Sequence, residues 1–247
     1  MRKNAIIWMA MILMVSSHGW AQGWRECVTG EVDYVSTYVF RGTKLSGSTG
    51  FAIVDLHYKG LTLGGECGVA FDGDYVETQL SLGYTLGDFK VQVRDQYLPI
   101  YKGVKADDYF NWNPRETYHS LEVMATYAPK KLPLKVLWST YVAGYDQSCR
   151  VDQLGNVSWG KRAYSSYLEL TGFHKFPHMH TIAAVVGASI NKGLYTDYEK
   201  NCAIVNTRLI YRKTWIWKGI YPAVGAYLTY NPYREKLYPS AYLSVAF

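Results

Sequence analysis

Apolar and polar side chains alternate along much of the chain, in stretches of roughly ten residues bounded by Gly, Pro, Asn or Asp. In one clear stretch, Leu80 and Leu82 point one way while Gln79 and Ser81 point the other. This period of two is typical of a β-strand whose two faces meet different surroundings. Together with an opening strand near Cys27–Phe40, the pattern predicts twelve strands.

The connections between these strands predict how the sheet is arranged. With the N-terminus on the inner side, the outer connections fall near 41–50, 72–74, 99–117, 146–160, 191–201 and 231–239. The inner connections fall near 60–61, 87–88, 129–133, 173–180 and 213–219. Most outer connections are longer than the inner ones, as in barrels that span the bacterial outer membrane. A soluble β-sandwich is the alternative, but it needs neither this asymmetry nor a mostly apolar outward row. We therefore predict an all-β fold, an antiparallel transmembrane β-barrel with both termini periplasmic.

The first residues predict export. Arg2 and Lys3 precede an apolar run, Ala5–Val15, which a small-residue region ending at Ala21 follows. This order is that of a secretory signal peptide. The apolar run is too short for a spanning helix, which needs about 20 residues. We expect a signal peptide at 1–21 and a barrel domain at 22–247.

The composition agrees with a membrane location. The chain contains 23 Tyr and 8 Trp but only 8 Phe, and charged residues make up 19% of it. Tyr and Trp favour the interface between apolar and aqueous surroundings, which a membrane supplies on both sides. Removing Arg2 and Lys3 with the signal lowers the formal charge from +6 to about +4. This charge is too dispersed to indicate nucleic acid as a partner.

Four cysteines in an exported chain of this length do not form a disulfide framework. Cys149 and Cys202 both fall in or beside predicted outer loops, so they are the one pair that we consider for a disulfide. The sequence leaves their pairing open.

The alternation places many charged side chains on the inward face of the predicted barrel. These channel-lining candidates are Asp33, Arg41, Asp55, His57, Lys59, Glu66, Glu77, Lys90, Arg94, Glu122, Lys135, Glu169, Arg208 and Arg212. Charges of both signs either set the ion preference of a water-filled pore or form ion pairs that plug a narrow barrel. Twelve strands lie between eight, which side chains fill, and sixteen, which leave an open channel. We favour a narrow pore for ions or small polar solutes, with no cofactor.

Two features could suggest a metal ion. A turn at Gly60-Leu61 would place Asp55 opposite Glu66, and like charges in that position repel each other. A neighbouring basic side chain is the simpler remedy. The segment 178–180 reads His-Met-His, and a solvated histidine pair explains it without a metal. We predict no metal site.

The chain ends in an alternating strand, with Leu243, Val245 and Phe247 on one face. A terminal aromatic residue after such alternation resembles the C-terminal signal of bacterial outer-membrane barrels. This strand must pair with the first one, because unpaired backbone groups in hydrocarbon are costly. We expect barrel closure and assembly to depend on these residues, with outer-membrane lipids and the barrel-assembly machinery as partners.

The segment Val32–Ser46 resembles the opening of the TorF family of porin-like proteins. The specific part of the match is Phe40-Arg41-Gly42, where the first strand ends before a polar loop. The similarity fades into a general barrel pattern after about Leu98. The resemblance implies an outer-membrane channel and names no solute.

An outer-membrane enzyme and a structural or ligand-binding barrel are the alternatives to a channel. Barrel lipases and deacylases carry a His–Ser pair on one face, within hydrogen-bond reach. His119 and Ser120 are adjacent in a strand, so they point to opposite faces, and the sequence contains no His-x-Ser. A pair from neighbouring strands stays open, but the sequence favours a protein that is not an enzyme.

Overall fold

The structure is a computed structural model that describes residues 27–106, 108–151 and 157–247. The predicted signal peptide at 1–21 lies outside the described residues. Among the residues that are described, no helix is long and apolar enough to cross a membrane.

Twelve long antiparallel strands form the sheet. They are β1 Val28–Val35, β2 Thr49–Tyr58, β3 Leu61–Ala70, β4 Tyr75–Leu86, β5 Phe89–Tyr101, β6 His119–Tyr127, β7 Leu134–Gly144, β8 Ser166–Phe176, β9 His180–Ser189, β10 Ala203–Thr214, β11 Tyr221–Asn231 and β12 Lys236–Ala246. Each strand pairs with its neighbours in sequence, and β1 also pairs with β12. The sheet is therefore a closed barrel, and the predicted fold class is confirmed.

Short strands and turns lie within the connections between the long strands. Tyr38–Phe40 pairs with Thr43–Ser46, Gln147–Val151 pairs with Val157–Arg162, and Val104–Lys105 lies beside β5. Two 3₁₀ turns cover Pro177–Met179 and Leu194–Thr196.

The seam between β1 and β12 closes the barrel. The register pairs Val32 with Val245 and Tyr34 with Leu243. Beyond the last pair, the Phe247 N–H donates to the Gly30 carbonyl at 2.9 Å, and the Gly30 N–H donates to the Phe247 carbonyl at 3.0 Å. The final residue thus extends the ladder that joins the two ends of the sheet.

The outward face of the barrel is apolar and exposed. Along β4 and β5, Leu80, Leu82, Phe89 and Val91 are each more than half exposed. The alternate residues on these strands face the interior, where most of the charged side chains lie. Exposed apolar side chains around a closed sheet are favourable in hydrocarbon and costly in water.

The connections at one end of the barrel, here the outer end, are 36–48, 71–74, 102–118, 145–165, 190–202 and 232–235, and those at the inner end are 59–60, 87–88, 128–133, 177–179 and 215–220. Two predicted boundaries were wrong. The first strand ends at Val35 and not at Phe40, because Tyr38–Phe40 belongs to a separate hairpin. The last outer connection is a short turn, since Asn231 already pairs with Lys236.

The turn between β2 and β3 also differs from the prediction. Lys59 and Gly60 have φ values of 46° and 87°, so these two residues, and not Gly60-Leu61, form the turn. Two positive φ values are typical of the type I′ turn that suits a tight hairpin. Asp55 therefore pairs with Gly64 instead of Glu66, so the two carboxylates are not directly opposed. Lys59 is exposed in the turn and does not line the lumen.

Deleting Phe247 is expected to weaken the seam, because both reciprocal hydrogen bonds with Gly30 are lost, at about 1 kcal/mol each. The measurement is the temperature at which the folded protein in detergent unfolds, detected as a change of its mobility on a gel. The variant Phe247→Leu keeps the backbone bonds and serves as the control. If the deletion converted at the wild-type temperature, Phe247 would have no role in closure.

Candidate functional site: the barrel interior

Residues 36–48, here called the lumen hairpin, fold from the outer end into the barrel. The hairpin runs between β1 and β2, yet it contacts nine of the twelve strands. These contacts reach β1, β2, β4, β5, β6, β8, β10, β11 and β12. A segment that touches so much of the wall occupies the cross-section of the lumen at that level.

Arg41 and Gly42 form the tip of the lumen hairpin. Their φ values are 46° and 81°, so both residues adopt the left-handed conformation of a two-residue turn. A Cβ atom on Gly42 would lie 1.8 Å from the carbonyl oxygen of Val205 on β10. The side-chain amide of Asn231 donates to the Gly42 carbonyl at 3.0 Å. Only glycine combines this backbone conformation with this close approach, which explains the Phe40-Arg41-Gly42 sequence.

Arg41 is the centre of a buried polar network. Its guanidinium binds the Glu122 carboxylate and the Tyr195 hydroxyl, and its side chain is 6% exposed, against 1% for Glu122. The guanidinium also lies 4.8 Å from the centre of the Tyr167 ring. Arg94 reaches the other oxygen of Glu122 at 2.6 Å. One carboxylate therefore compensates two guanidinium groups.

The charge of Arg41 persists in this setting. Burial alone would lower the pKa of the guanidinium, but Tyr195 and Glu122 raise it above its ordinary value. An isolated buried charge is costly, whereas a paired and hydrogen-bonded one is tolerated. The network therefore holds the lumen hairpin in one orientation, since any other would leave these charges unpaired.

Other hydrogen bonds fix the base and sides of the lumen hairpin. Arg208 donates to the Val39 carbonyl at 2.7 Å and to the Thr229 hydroxyl at 2.8 Å. The Tyr227 hydroxyl donates to the Thr37 carbonyl at 2.8 Å. These bonds satisfy backbone carbonyls that the two short hairpin strands leave free, as buried polar groups require.

An aromatic cluster packs on the opposite side of the hairpin. The Tyr38 ring makes edge contacts with Phe51 at 4.8 Å and with Tyr75 at 5.7 Å between ring centres. Such edge-to-face arrangements add to the stabilisation from apolar burial. The hairpin is thus held by hydrogen bonds to β6, β10, β11 and β12 and by aromatic contacts with β2 and β4.

The outer connection 190–202 contributes a second inserted side chain. Tyr195 is buried against Arg41, Tyr141 and Tyr167. Tyr195 was not predicted from the sequence, because a single Tyr in a polar loop of a Tyr-rich chain gives no signal of its own.

Hydrogen bonds to two other outer connections hold Tyr195 in place. The Leu194 N–H donates to the Ser165 hydroxyl at 2.7 Å, and Ser165 in turn binds the Asp146 carboxylate. Burial raises the pKa of Asp146, against the lowering effect of the Ser165 hydrogen bonds. The Tyr233 hydroxyl donates to the Thr196 carbonyl at 2.9 Å. Three outer connections therefore meet above the lumen hairpin.

The lumen on the inner side of the hairpin is more open. There the Arg212 and Glu31 side chains approach to 3.6 Å and are 37% and 32% exposed. Lys90 and Lys135 lie near the inner ends of β5 and β7. The interior is therefore tightly packed at the outer end and accessible to water at the inner end.

The remaining predicted lining residues also face inward. Gln79 donates to Glu66 at 3.1 Å, and Tyr75 and Gln96 each donate to Glu77 at 2.7 Å. His57 lies within 3.3 Å of the Thr62 hydroxyl, and Tyr167 donates to Glu169 at 2.7 Å. Asp55 leans over Gly64, the partner of Asp55 on β3.

His119 lies on the outward side of the barrel, away from the lumen. Its Nδ1 is 2.9 Å from Asp95, its Nε2 is 2.6 Å from the Tyr109 carbonyl, and its ring stacks between Trp112 and Tyr97. Both ring nitrogens are engaged, so neither is free to activate a nucleophile. The loop aromatics cover this polar pair on an otherwise apolar face, as polar groups on a lipid-facing surface require.

The remaining candidates from the sequence are a cysteine pair and possible metal ligands. Cys149 and Cys202 are both exposed and are not joined by a disulfide. Within 27–106, 108–151 and 157–247, no three His, Cys, Asp or Glu residues are grouped so as to hold a metal ion. His178 offers its backbone carbonyl to Lys213, and His180 lies 2.8 Å from the Tyr211 hydroxyl.

Comparison with known proteins finds similar solved structures at low sequence identity. No family model and no curated protein matches the chain. Among solved structures, the chain is similar to the NanC porin, with 13% identity over 89% of this chain and 98% of that one and a TM-score of 0.47. It is also similar to an outer membrane channel from Pseudomonas putida F1, with 11% identity, coverage of 89% and 94% and a TM-score of 0.46.

A third similar structure is OmpF of Salmonella typhi in complex with daunomycin, with 9% identity, coverage of 89% and 96% and a TM-score of 0.39. These three likenesses assign no function to this chain. Membership of the TorF family stays a prediction.

The variant Gly42→Ala is expected to release the tip of the lumen hairpin. A left-handed conformation costs a residue with a Cβ about 1–2 kcal/mol, and the Val205 carbonyl blocks the new atom. Hydrogen exchange of the amides in 36–48 should therefore become faster. The variant Gly47→Ala is the matched control, since the nearest atom to its Cβ, at 3.5 Å, is in ordinary contact. Equal exchange in both variants would show that the tip is not tightly docked.

The variant Glu122→Gln is expected to destabilise the folded barrel, because Arg41 and Arg94 lose their shared counter-charge. Breaking a buried ion pair on one side costs about 3–5 kcal/mol. The measurement is again the conversion temperature of the folded form on a gel. Glu116→Gln, in an exposed part of the outer connection 102–118, is the control. A conversion temperature unchanged from wild type would mean that Glu122 does not hold the hairpin.

Proposed function

We propose that this protein is a narrow channel of the bacterial outer membrane for ions or small polar solutes, with both termini on the periplasmic side. The observation that carries the proposal is the lumen hairpin, a charged constriction inside a barrel with an apolar exterior. A barrel that served only as a scaffold would need no charged interior.

The accessibility of the interior supports passage. Glu31 and Arg212 are accessible to water on the inner side of the hairpin, while Arg41 and Glu122 are buried within it. The lumen is therefore a vestibule that narrows towards the outer end. A water-filled space lined by side chains of both signs is the arrangement by which pores select small polar solutes. The expected partners are outer-membrane lipids and, during insertion, the barrel-assembly machinery.

A structural or ligand-binding barrel without transport is the second candidate. The contacts of the lumen hairpin with nine strands favour it, because they fix the hairpin firmly across the lumen. The two candidates differ in whether the wild-type protein conducts.

The test uses purified protein in a planar lipid bilayer. Wild-type protein should give small conductance steps. A variant that lacks 38–46, with Thr37 joined to Gly47, should give larger steps, because the constriction is gone. The join is short, since the Tyr38 N–H already donates to the Gly47 carbonyl at 3.2 Å.

The variant Gly47→Ala keeps the hairpin docked and should conduct as the wild type does. If wild-type protein that is folded on a gel gave no steps while the deletion variant conducted, the structural candidate would replace the channel. Equal steps in both would show that the hairpin is not the constriction.

A further inference from the structure

Inward carboxylates are concentrated on one side of the barrel. Asp33, Asp55, Glu66 and Glu77 lie on the adjacent strands β1, β2, β3 and β4, and they are here called the acidic wall. The register places Asp33 and Glu77 in one row across these strands, through Phe51 and Gly68. Because they occupy four neighbouring strands, their charges act on the same part of the lumen.

The basic residues of the lumen do not neutralise the acidic wall. Arg41 and Arg94 are both bound to Glu122, and Arg208 binds the Val39 carbonyl and Thr229. Arg212 is closest to Glu31 among the carboxylates. No member of the acidic wall forms a salt bridge with any residue that the structure describes. The arginines of the interior thus hold the hairpin or bind Glu31, and none of them lies within salt-bridge distance of a carboxylate of the wall among the described residues.

Glu77 provides an independent sign of a missing partner. Its side chain is 0% exposed, and its Oε1 atom has no hydrogen-bond partner within the described part of the chain. The Oδ1 atom of Asp33 is buried in the same unpartnered state. A buried carboxylate oxygen without a donor is costly. A cation in the lumen would offset the charge of these carboxylates without direct contact.

Aromatic residues line the same region. Tyr75 donates to Glu77 and makes an edge contact with Tyr38 of the lumen hairpin. Carboxylates beside aromatic rings suit cations, which both groups attract. The carboxylates are spread over four strands and not gathered at one point, so the wall suits a cation in transit more than a coordinated metal ion.

We propose that the acidic wall makes the lumen selective for cations, namely alkali-metal ions and small organic ammonium compounds. This inference rests on the proposed channel function and names the class of solute. Lys90 and Lys135 near the inner mouth, and Arg208, which binds no carboxylate, oppose the wall, and the four carboxylates of the wall outnumber them.

The test measures the reversal potential of the conducting protein in a gradient of potassium chloride. Wild-type protein should give a potential with the sign of the potassium equilibrium potential, corresponding to a several-fold preference for potassium over chloride. The double variant Asp55→Asn/Glu66→Gln should lose most of this preference. These two residues are only partly buried, and gel mobility without heating verifies that the variant folds.

The matched control is Lys90→Gln/Lys135→Gln, which removes two charges of the opposite sign and should raise the preference for potassium. A wild-type channel that prefers chloride or shows no preference would overturn the inference while leaving the channel function intact. Loss of the preference in the lysine variant as well would also overturn it, because the effect would not depend on the sign of the charge.

A second measurement separates the inference from the channel function. Caesium-133 NMR of the folded protein in detergent reports ion occupancy without conductance. The wild type should broaden the caesium line, and the Asp55→Asn/Glu66→Gln variant should broaden it less. If neither protein conducts but this difference is present, the channel function fails and the cation site stands. Equal broadening by both proteins would overturn the site.

Discussion

Hydrocarbon offers no hydrogen-bond partner to a peptide group, and the architecture of this protein follows from that constraint. Every strand of the sheet must have two neighbours, so β12 must return to β1. The reciprocal bonds between Gly30 and Phe247 extend this closure to the last residue. Closure in turn creates an interior that is shielded from lipid, and only there can the chain place its charged side chains in number.

Backbone groups inside the lumen need hydrogen-bond partners too. A hairpin inserted into the lumen brings its own backbone groups, and they need partners as well. Side chains of the barrel wall donate hydrogen bonds to carbonyl groups of the hairpin; they belong to Arg208, Tyr227 and Asn231. Glu122 binds the guanidinium of Arg41 in the hairpin. Because these partners come from strands far apart in the barrel, the hairpin is held at a defined depth and not merely packed loosely inside.

The sequence predicts the barrel well because alternation is a local property. The alternation around Gln79 and Leu80 shows which face of the strand each side chain occupies, without information from any other strand. The same holds for most of the twelve strands. Turn positions were less accurate, since Lys59-Gly60 and Gly60-Leu61 are both compatible with the composition, and only the φ values distinguish them. A shift of the turn by one residue moved Lys59 out of the lumen.

The constriction could be predicted only in part. Arg41 was identified as an inward residue, yet as the end of a strand and not as the tip of an inserted hairpin. Its partners Glu122 and Tyr195 are 81 and 154 residues away, and no local pattern links them. Asp95 and His119 form a polar pair on the outward face, where the alternation predicts apolar residues. The rings of Trp112 and Tyr109 cover this pair, and the sequence gives no sign of that contact.

The separation in sequence between the lumen hairpin and its partners has a bearing on how the molecule is made. Thr37 and Gly42 are among the first residues of the described chain, whereas Tyr227 and Asn231, which bind them, lie 190 and 189 residues later. The hairpin therefore has no complete binding site until the last strands are in place. During synthesis and insertion, the polar groups of the hairpin therefore lack these hydrogen-bond partners. The hairpin can dock fully only after the last strands have closed the barrel.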